Sequence, residues 1–350
     1  MMSKNKILSI LCTAAMMVSI AGCSSGGTSS GAQSGVESQQ PGTVEAEQSA
    51  QPEAKVPVRV GMLKGPTGMG MAGLMQSAED GTAVNDYDFI MKEAPTDIRA
   101  MLMNDELDIA ALPTNMAAVL YNKNDKSVTM LAVNTLGVLY VMQNGGEIST
   151  IADLKGKTLH STGQASVPEY VLNHILTKNN LNPATDVDIV YDAEHAALAT
   201  QMAAGDVKLG MLPEPFVTIT HTKNEEVTVA LDMTAEWDKV SDGALLAMGC
   251  IVVRSEFLKE NKDAVDAFLD EYQQSVAFVN RDIGEAAAVM DKFGVITGPV
   301  AEKAIPNCNI VYEDGADMIA AVQGFLQVLY EADPASVGES IPDDAFYYQK

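Results

Sequence analysis

From residue 58 onward, short runs of apolar residues alternate with segments in which apolar residues recur every three or four positions. The first pattern is typical of buried strands, and the second is typical of helices that cover a sheet. We predict strands over residues 58–63, 87–92, 107–112, 128–133, 138–143, 158–161, 187–191, 208–212, 227–232 and 244–253. We predict helices over residues 68–77, 96–104, 114–121, 167–179, 194–204, 213–223, 262–279 and 316–330. This alternation indicates an α/β protein with mostly parallel sheets covered by helices on both faces.

The first 56 residues depart from this pattern. Lys4 and Lys6 precede a short apolar stretch over residues 7–20, which ends in Ile20-Ala21-Gly22-Cys23. Such a sequence looks like a bacterial lipobox, so we predict a signal peptide over 1–22 and acylation of Cys23. An ordinary signal peptide with an incidental cysteine is the alternative. Residues 24–56 contain no Phe, Tyr or Trp, and we expect a disordered linker there. The chain is then exported and lipid-anchored to the outer face of the cytoplasmic membrane.

Composition narrows the classes of function. The 350 residues carry 47 acidic and only 22 basic side chains, for a formal net charge of −25. This charge argues against nucleic-acid binding, which needs a basic surface to neutralise phosphates. The four cysteines are too few for a disulfide scaffold at this length. Cys250 and Cys308 either form a disulfide or remain two separate buried thiols, and neither lies beside an obvious base.

One motif points to an enzyme. Gly68-x-Gly70-x-x-Gly73 has the spacing of a dinucleotide fingerprint, and Glu93 follows 20 residues later, where a ribose-binding acid would stand. However, four residues separate the predicted strand from Gly68, whereas the fingerprint needs a tight turn. The histidines show no metal-ligand spacing, and no GxSxG sequence occurs. We therefore expect no catalytic residue, cofactor or metal, and an extracellular enzyme with a dinucleotide-like loop is the alternative.

Four segments carry a resemblance to a known family. Their sequences are VGMLKGPTGMG at 60–70, LPTN at 112–115, IADLKGKT at 151–158 and GMLPEPF at 210–216. With the lipoprotein signal, they resemble the extracytoplasmic solute-binding proteins of ABC importers. Within that group the chain is similar to the nitrate/sulfonate/taurine family, which includes binders of thiamine-precursor pyrimidines. The resemblance implies the two-lobed, type II periplasmic-binding-protein fold, in which two crossovers join the lobes. Lobe 1 would comprise 57–138 plus 246–350, and lobe 2 would comprise 139–245.

The same resemblance implies a ligand site in the cleft, built from loops at the carboxyl ends of strands. Taken singly, each glycine or threonine of these loops is explained by turn or cap chemistry, and their recurrence after successive strands is what favours a site. The residues it designates are Gly65, Thr67, Gly68, Met69, Thr114, Asn115, Asn134, Thr135, Ser161, Thr162, Gly163, Gln164, Ser166, Glu214 and Phe216.

The implied function is to bind a small polar solute, nitrate/sulfonate/taurine-like or pyrimidine-like, and to deliver it to an ABC permease with a cytoplasmic ATPase. We expect a monomer, and a ligand sensor for a membrane receptor is a further alternative. Arginine is scarce after residue 56 and absent from the candidate loops, so a bare anion lacks its usual bidentate partner. Glu214 lies between two prolines and has two interpretations. It either stabilises the start of a helix or contacts the solute, and a contact would favour an amine or a heterocycle over nitrate.

Overall fold

The computed structural model describes residues 54–350, so the predicted signal peptide, Cys23 and most of the predicted linker lie outside the described residues. Eleven strands of this part of the chain form two sheets. Sheet 1 has the order β11-β4-β10-β3-β1-β2, and sheet 2 has the order β7-β6-β8-β5-β9. The strands are β1 (Pro57–Leu63), β2 (Asp86–Lys92), β3 (Ile109–Pro113), β4 (Val128–Thr135), β5 (Leu139–Asn144), β6 (Thr158–Thr162), β7 (Asp188–Asp192), β8 (Leu209–Pro213), β9 (Val227–Asp232), β10 (Gly249–Arg254) and β11 (Ile310–Glu313).

Helices follow most of the strands and cover the sheets. Thirteen α-helices occur within residues 54–350. They are α1 (Pro66–Met69), α2 (Ala72–Glu79), α3 (Pro95–Met103), α4 (Thr114–Lys123), α5 (Val167–Lys178), α6 (His195–Ala204), α7 (Phe216–Lys223), α8 (Met233–Asp238), α9 (Ser255–Glu260), α10 (Lys262–Arg281), α11 (Ile283–Lys292), α12 (Gly298–Ala304) and α13 (Gly315–Ala332). None of the helices in residues 54–350 is long and apolar enough to cross a bilayer.

Both sheets are mixed: most strands of each run in one direction, as predicted, and antiparallel strands lie among them. β1 runs parallel to β2 and β3, and β6 runs parallel to β7 and β8. β10, however, is antiparallel to β3 and β4, and β5 is antiparallel to β8 and β9. β5 and β10 are the first strands after each passage of the chain from one sheet to the other. No strand–helix–strand unit within one sheet leads into them, so the parallel rule for such units does not apply.

Two passages join the sheets, as the resemblance implied: residues 136–138 between β4 and β5, and residues 239–248 between α8 and β10. One cluster of buried apolar side chains extends from sheet 1 to sheet 2. Near its middle lies Trp237 of α8, which is fully buried. Its ring centroid is 5.0 Å from that of His174 in α5 and 5.9 Å from that of Phe325 in α13.

The helix predicted over 68–77 is two helices, α1 and α2, and the glycines of the fingerprint-like motif lie where this segment packs closely on its neighbours. A Cβ atom on Gly68 would lie 2.1 Å from the carbonyl oxygen of Leu63, and one on Gly70 would lie 2.6 Å from the Tyr272 hydroxyl. Both glycines therefore allow close packing of this segment on β1 and α10. The spacing that resembled a dinucleotide fingerprint has a packing explanation.

Other differences are local. Helix α3 begins at Pro95, one residue before the predicted start, and its N-cap is Ala94. The strand predicted over 244–253 is β10 alone, because residues 244–248 form irregular chain. The prediction missed strand β11 and helices α8, α9, α11 and α12. Cys250 and Cys308 are two separate buried thiols, which settles the alternative left open.

Candidate functional site

The carboxyl ends of strands from both sheets surround one cavity of about 840 Å³. Leu63, Pro113 and Thr135 end β1, β3 and β4 in sheet 1, while Thr162 and Pro213 end β6 and β8 in sheet 2. This is the edge at which open α/β sheets bind ligands, because loops from neighbouring strands converge there. The cavity is large enough for a small organic molecule.

Nine of the fifteen predicted ligand-binding residues line this cavity: Gly65, Thr67, Asn115, Thr135, Thr162, Gly163, Ser166, Glu214 and Phe216. The fold brings these nine residues to one cavity, and their contact with a solute stays a prediction. The other six are not among its lining residues: Gly68, Met69, Thr114, Asn134, Ser161 and Gln164.

Most of these six side chains have structural roles behind the cavity wall. The Asn134 amide donates a hydrogen bond to the Thr67 carbonyl oxygen at 2.9 Å and accepts one from the Thr135 hydroxyl at 3.1 Å. It thus holds the loop after β1 against the end of β4. Met69 is fully buried in the core, whereas Gln164 is exposed on the loop before α5. The sequence rule that designated them locates the loop but not the direction of each side chain.

Glu214 lies in the turn between β8 and α7, and the peptide bond from Glu214 to Pro215 is cis. Its side chain is almost fully buried, with 2% exposure. Its carboxylate accepts hydrogen bonds from the Thr218 hydroxyl at 3.0 Å and the Thr218 backbone N–H at 3.2 Å. Burial raises the pKa of Glu214, although the two hydrogen bonds from Thr218 oppose that rise. These contacts favour the helix-start interpretation over direct contact with a solute.

An aromatic pair forms part of the wall. The ring centroids of His195 and Phe216 are 5.4 Å apart, with 40° between the ring planes. The Nδ1 atom of His195 lies 2.6 Å from the Thr162 hydroxyl oxygen, which fixes the ring. Burial lowers the pKa of His195, which favours the neutral ring. The pair can pack against an apolar or flat part of a ligand.

Sequence reasoning missed several residues of the wall, among them Met116, Glu194, His195 and Met248. Glu93, noted only as part of the fingerprint-like motif, also lines the cavity, and its carboxylate lies 3.0 Å from the Lys64 ammonium. A signal was available, because Glu93 directly follows β2 and Glu194 lies two residues after β7. Designating the residues that follow β2 and β7 as site residues, like those that follow β1, β3, β6 and β8, finds both glutamates.

Comparison with known proteins agrees with this architecture. The sequence profile of a family described as "ABC transporter, phosphonate, periplasmic substrate-binding protein" matches residues 85–301, more than half of the chain. The protein YtlA of Bacillus subtilis (strain 168) is 25% identical over 156 residues, which are 43% of this chain and 44% of YtlA. The chain thus matches less than half the length of that relative.

Solved structures share the fold. An ABC transporter protein from Parabacteroides distasonis has a TM-score of 0.72 at 23% identity, over 85% of this chain and 100% of that one. The periplasmic aliphatic sulphonate binding protein SsuA from Escherichia coli has a TM-score of 0.68 at 16% identity, over 85% and 93% of the two chains. The periplasmic nitrate-binding protein NrtA from Synechocystis PCC 6803 has a TM-score of 0.56 at 12% identity, over 81% and 84%.

These likenesses concern the fold, and they confirm the predicted two-lobed periplasmic-binding-protein architecture. The resemblance to solute-binding proteins of ABC importers is confirmed by the profile, which covers parts of both sheets. By that match the chain belongs to the family of phosphonate periplasmic substrate-binding proteins of ABC transporters.

Proposed function

We propose that this protein captures a small polar solute in the cavity between its two sheets and delivers it to an ABC permease. The observation that carries the proposal is the convergence of strand ends from both sheets on one cavity of about 840 Å³. Within residues 54–350 two passages join the sheets, so the sheets can move as lobes about a hinge, and a solute held between them favours the closed arrangement. Lobe 1 is residues 57–138 plus 246–350, and lobe 2 is residues 139–245.

The protein performs no chemistry on its solute. In support, the glycines of the fingerprint-like motif are occupied in packing against Leu63 and Tyr272. In the wall of the cavity the Thr162 hydroxyl is buried and hydrogen-bonded to His195 Nδ1, and Glu214 is bonded to Thr218, which favours structural roles for both pairs. An enzyme in this fold would need a reacting group presented to the cavity.

The chain acts as a monomer on the outer face of the cytoplasmic membrane, held by an acyl group on Cys23. The lipobox-like sequence before Cys23 supports this, and a linker over residues 24–56 would let the lobes reach the permease. Metabolic labelling with palmitate tests the anchor. Wild type should be labelled and sediment with membranes, whereas the Cys23→Ser variant should not be labelled. Labelling of the Cys23→Ser variant would contradict the assignment.

The transport role is tested in two steps. Mass spectrometry of the protein under native conditions identifies the solute that it carries, and uptake of that solute is then compared in cells with and without the gene. Loss of high-affinity uptake is expected. Normal uptake combined with loss of a transcriptional or motile response to the solute would instead identify a ligand sensor for a membrane receptor.

A further inference from the structure

Helix α13 belongs to the proposed lobe 1, but its carboxyl-terminal half lies against lobe 2. The Phe325 ring packs edge-on to the Trp237 ring of α8, with 5.9 Å between the centroids. A Cβ atom on Gly324 would lie 2.3 Å from the Cβ atom of Ala244, which belongs to the second passage between the sheets. The passage and α13 therefore meet at a point that leaves no room for a side chain at position 324. The helix crosses the region about which the lobes would rotate.

The chain that follows α13 is fixed to lobe 1 through α4. This segment is a short 3₁₀ helix, Pro334–Val337. The side-chain amide of Asn115 donates a hydrogen bond to the Ser336 carbonyl oxygen at 3.2 Å, and that of Asn122 donates to the Val337 carbonyl oxygen at 2.8 Å. Asn115 also lines the cavity, so the segment is bonded directly to the lobe 1 wall.

Asp333, which precedes this segment, makes one local hydrogen bond and one between the lobes. Its Oδ1 atom accepts from the Ala335 backbone N–H at 3.0 Å, which caps the 3₁₀ helix and fixes the carboxylate. Its Oδ2 atom accepts from the Tyr170 hydroxyl at 3.0 Å, and Tyr170 belongs to α5 of lobe 2. Burial and this hydrogen bond raise the pKa of Tyr170 to about 12, so the hydroxyl keeps the proton that it donates. Val167, one turn earlier in α5, lines the cavity.

The walls that the two lobes contribute to the cavity are thus joined at a point outside it, because neither Tyr170 nor Asp333 is a lining residue. A rotation about the passages that moves the first turn of α5 away from α4 must break the hydrogen bond between them. We infer that Tyr170 and Asp333 form a latch that favours the lobe arrangement of this structure and so positions the two cavity walls for the solute. The inference rests on the proposed function, since a latch matters only if the lobes move to capture a solute.

Three variants remove this one bond in different ways. Tyr170→Phe removes the hydroxyl donor, whereas Asp333→Ser withdraws the carboxylate and keeps a residue type that caps helices. Losing a hydrogen bond to a charged group should raise the population of other lobe arrangements, relative to this one, by about tenfold. The double variant should raise it by the same factor as either single variant, because each change removes the same interaction.

Pulsed electron paramagnetic resonance measures the distance between two nitroxide labels, one on each lobe, in protein dialysed free of solute. The labels are attached at Glu106→Cys in lobe 1 and Glu225→Cys in lobe 2, where both native residues are exposed. Cys250 and Cys308 are buried, and Cys23→Ser removes the predicted acylation site. The same chain without the two introduced cysteines gives the background signal.

Tyr121→Phe is the matched control, because the Tyr121 hydroxyl donates to the Asp343 carboxylate within lobe 1. This variant loses a hydrogen bond of the same type and should keep the wild-type distance distribution. Tyr170→Phe and Asp333→Ser should instead gain a second distance population. Wild-type distributions in both latch variants would overturn the inference. An equal change in Tyr121→Phe would also overturn it, because the cause would then be general destabilisation.

Native mass spectrometry of the full chain from its own host tests the proposed function separately. A wild-type protein that carries a solute, combined with unchanged label distances in the latch variants, would overturn the latch and leave the solute-binding function intact. A protein that carries no solute and binds none from a broad panel would overturn the proposed function itself.

Discussion

Replacing Glu214 by Gln separates the two interpretations of this residue, because the substitution keeps its shape and removes its charge. In the folded protein the side chain is 2% exposed and accepts two hydrogen bonds from Thr218. If Glu214 serves to start helix α7, the change should alter the stability of the protein and its pH dependence. The affinity for the solute should change little.

The direction of the pH effect follows from the raised pKa of Glu214, whose largest cause is burial. The folded chain binds this proton more tightly than the unfolded chain, in which the carboxyl has its usual pKa of about 4.3. The stabilisation from this group is therefore complete below that pH and is lost as the pH rises through the folded-state pKa. Each tenfold difference in proton affinity corresponds to about 1.4 kcal/mol. The free energy of unfolding of wild type relative to Glu214→Gln should thus fall as the pH rises above about 4.

Thr218→Val provides a matched comparison, because it removes the hydroxyl donor but keeps the side-chain shape and the backbone N–H. A hydrogen bond to a charged group contributes about 1.5–3 kcal/mol, so this variant should lose that amount at a pH where the carboxylate is ionised. It should lose less near pH 4, where the carboxyl is protonated. The variant should therefore make the pH dependence of stability steeper than in wild type.

Urea denaturation at a series of pH values measures all three proteins, and calorimetric titration measures solute affinity. A wild-type stability that rises with pH relative to Glu214→Gln would refute the reasoning, because it would mean that the fold favours the ionised carboxylate. Parallel stabilities with an affinity loss of about 1.5–3 kcal/mol would instead show that the carboxylate bonds the solute.

Three further results are expected. Gly68→Ala should destabilise the protein by about 1–3 kcal/mol, because the new Cβ would meet the Leu63 carbonyl oxygen at 2.1 Å. The control Gly284→Ala has open space around it and should not destabilise the protein. Equal melting temperatures for the two variants would contradict the packing role of Gly68. Asp108→Asn should lower stability at pH 7 by about 2–3 kcal/mol, because Arg59, against the effect of burial, lowers the pKa of Asp108. The loss should shrink as the pH falls through that lowered pKa; denaturation over an acidic pH series measures it, and a pH-independent loss would contradict it. Solute binding should change the fluorescence of Trp237, the single tryptophan, because its ring lies close to those of His174 and Phe325. The Trp237→Phe variant serves as the blank. Unchanged emission at saturation would argue against movement between α5, α8 and α13.

The sequence predicts the strands of this fold well because most are buried runs of apolar residues, as in β4, where all eight residues are buried. It fails where tertiary contacts decide. The need for glycine at position 70 depends on the Tyr272 hydroxyl, about 200 positions away along the chain. The direction of β10 depends on which strands it lies between, and hydrophobic periodicity is the same for parallel and antiparallel strands.

The candidate site shows the same limit. Residues after β1, β3, β6 and β8 could be designated from sequence, because loops at strand ends converge whatever their side chains are. The direction in which each side chain points could not be predicted from the sequence. Asn134 and Thr135 are neighbours, yet Thr135 lines the cavity and Asn134 bonds the Thr67 carbonyl oxygen. Alternation along a strand points such neighbours to opposite faces, but the sequence does not say which face meets the cavity.

The position of β10 in sheet 1 sets an order for biosynthesis. β3 and β4 are both made early, but they are not neighbours, because β10 lies between them. All of sheet 2 is translated before β10, so its strands can pair while sheet 1 still has a gap. Until residues 249–254 arrive, the facing edges of β3 and β4 present unpaired N–H and C=O groups, which are prone to pair with other chains. A nascent chain that stops after β9 should therefore need a chaperone, whereas one that extends past β10 can fill the gap between β3 and β4 in sheet 1.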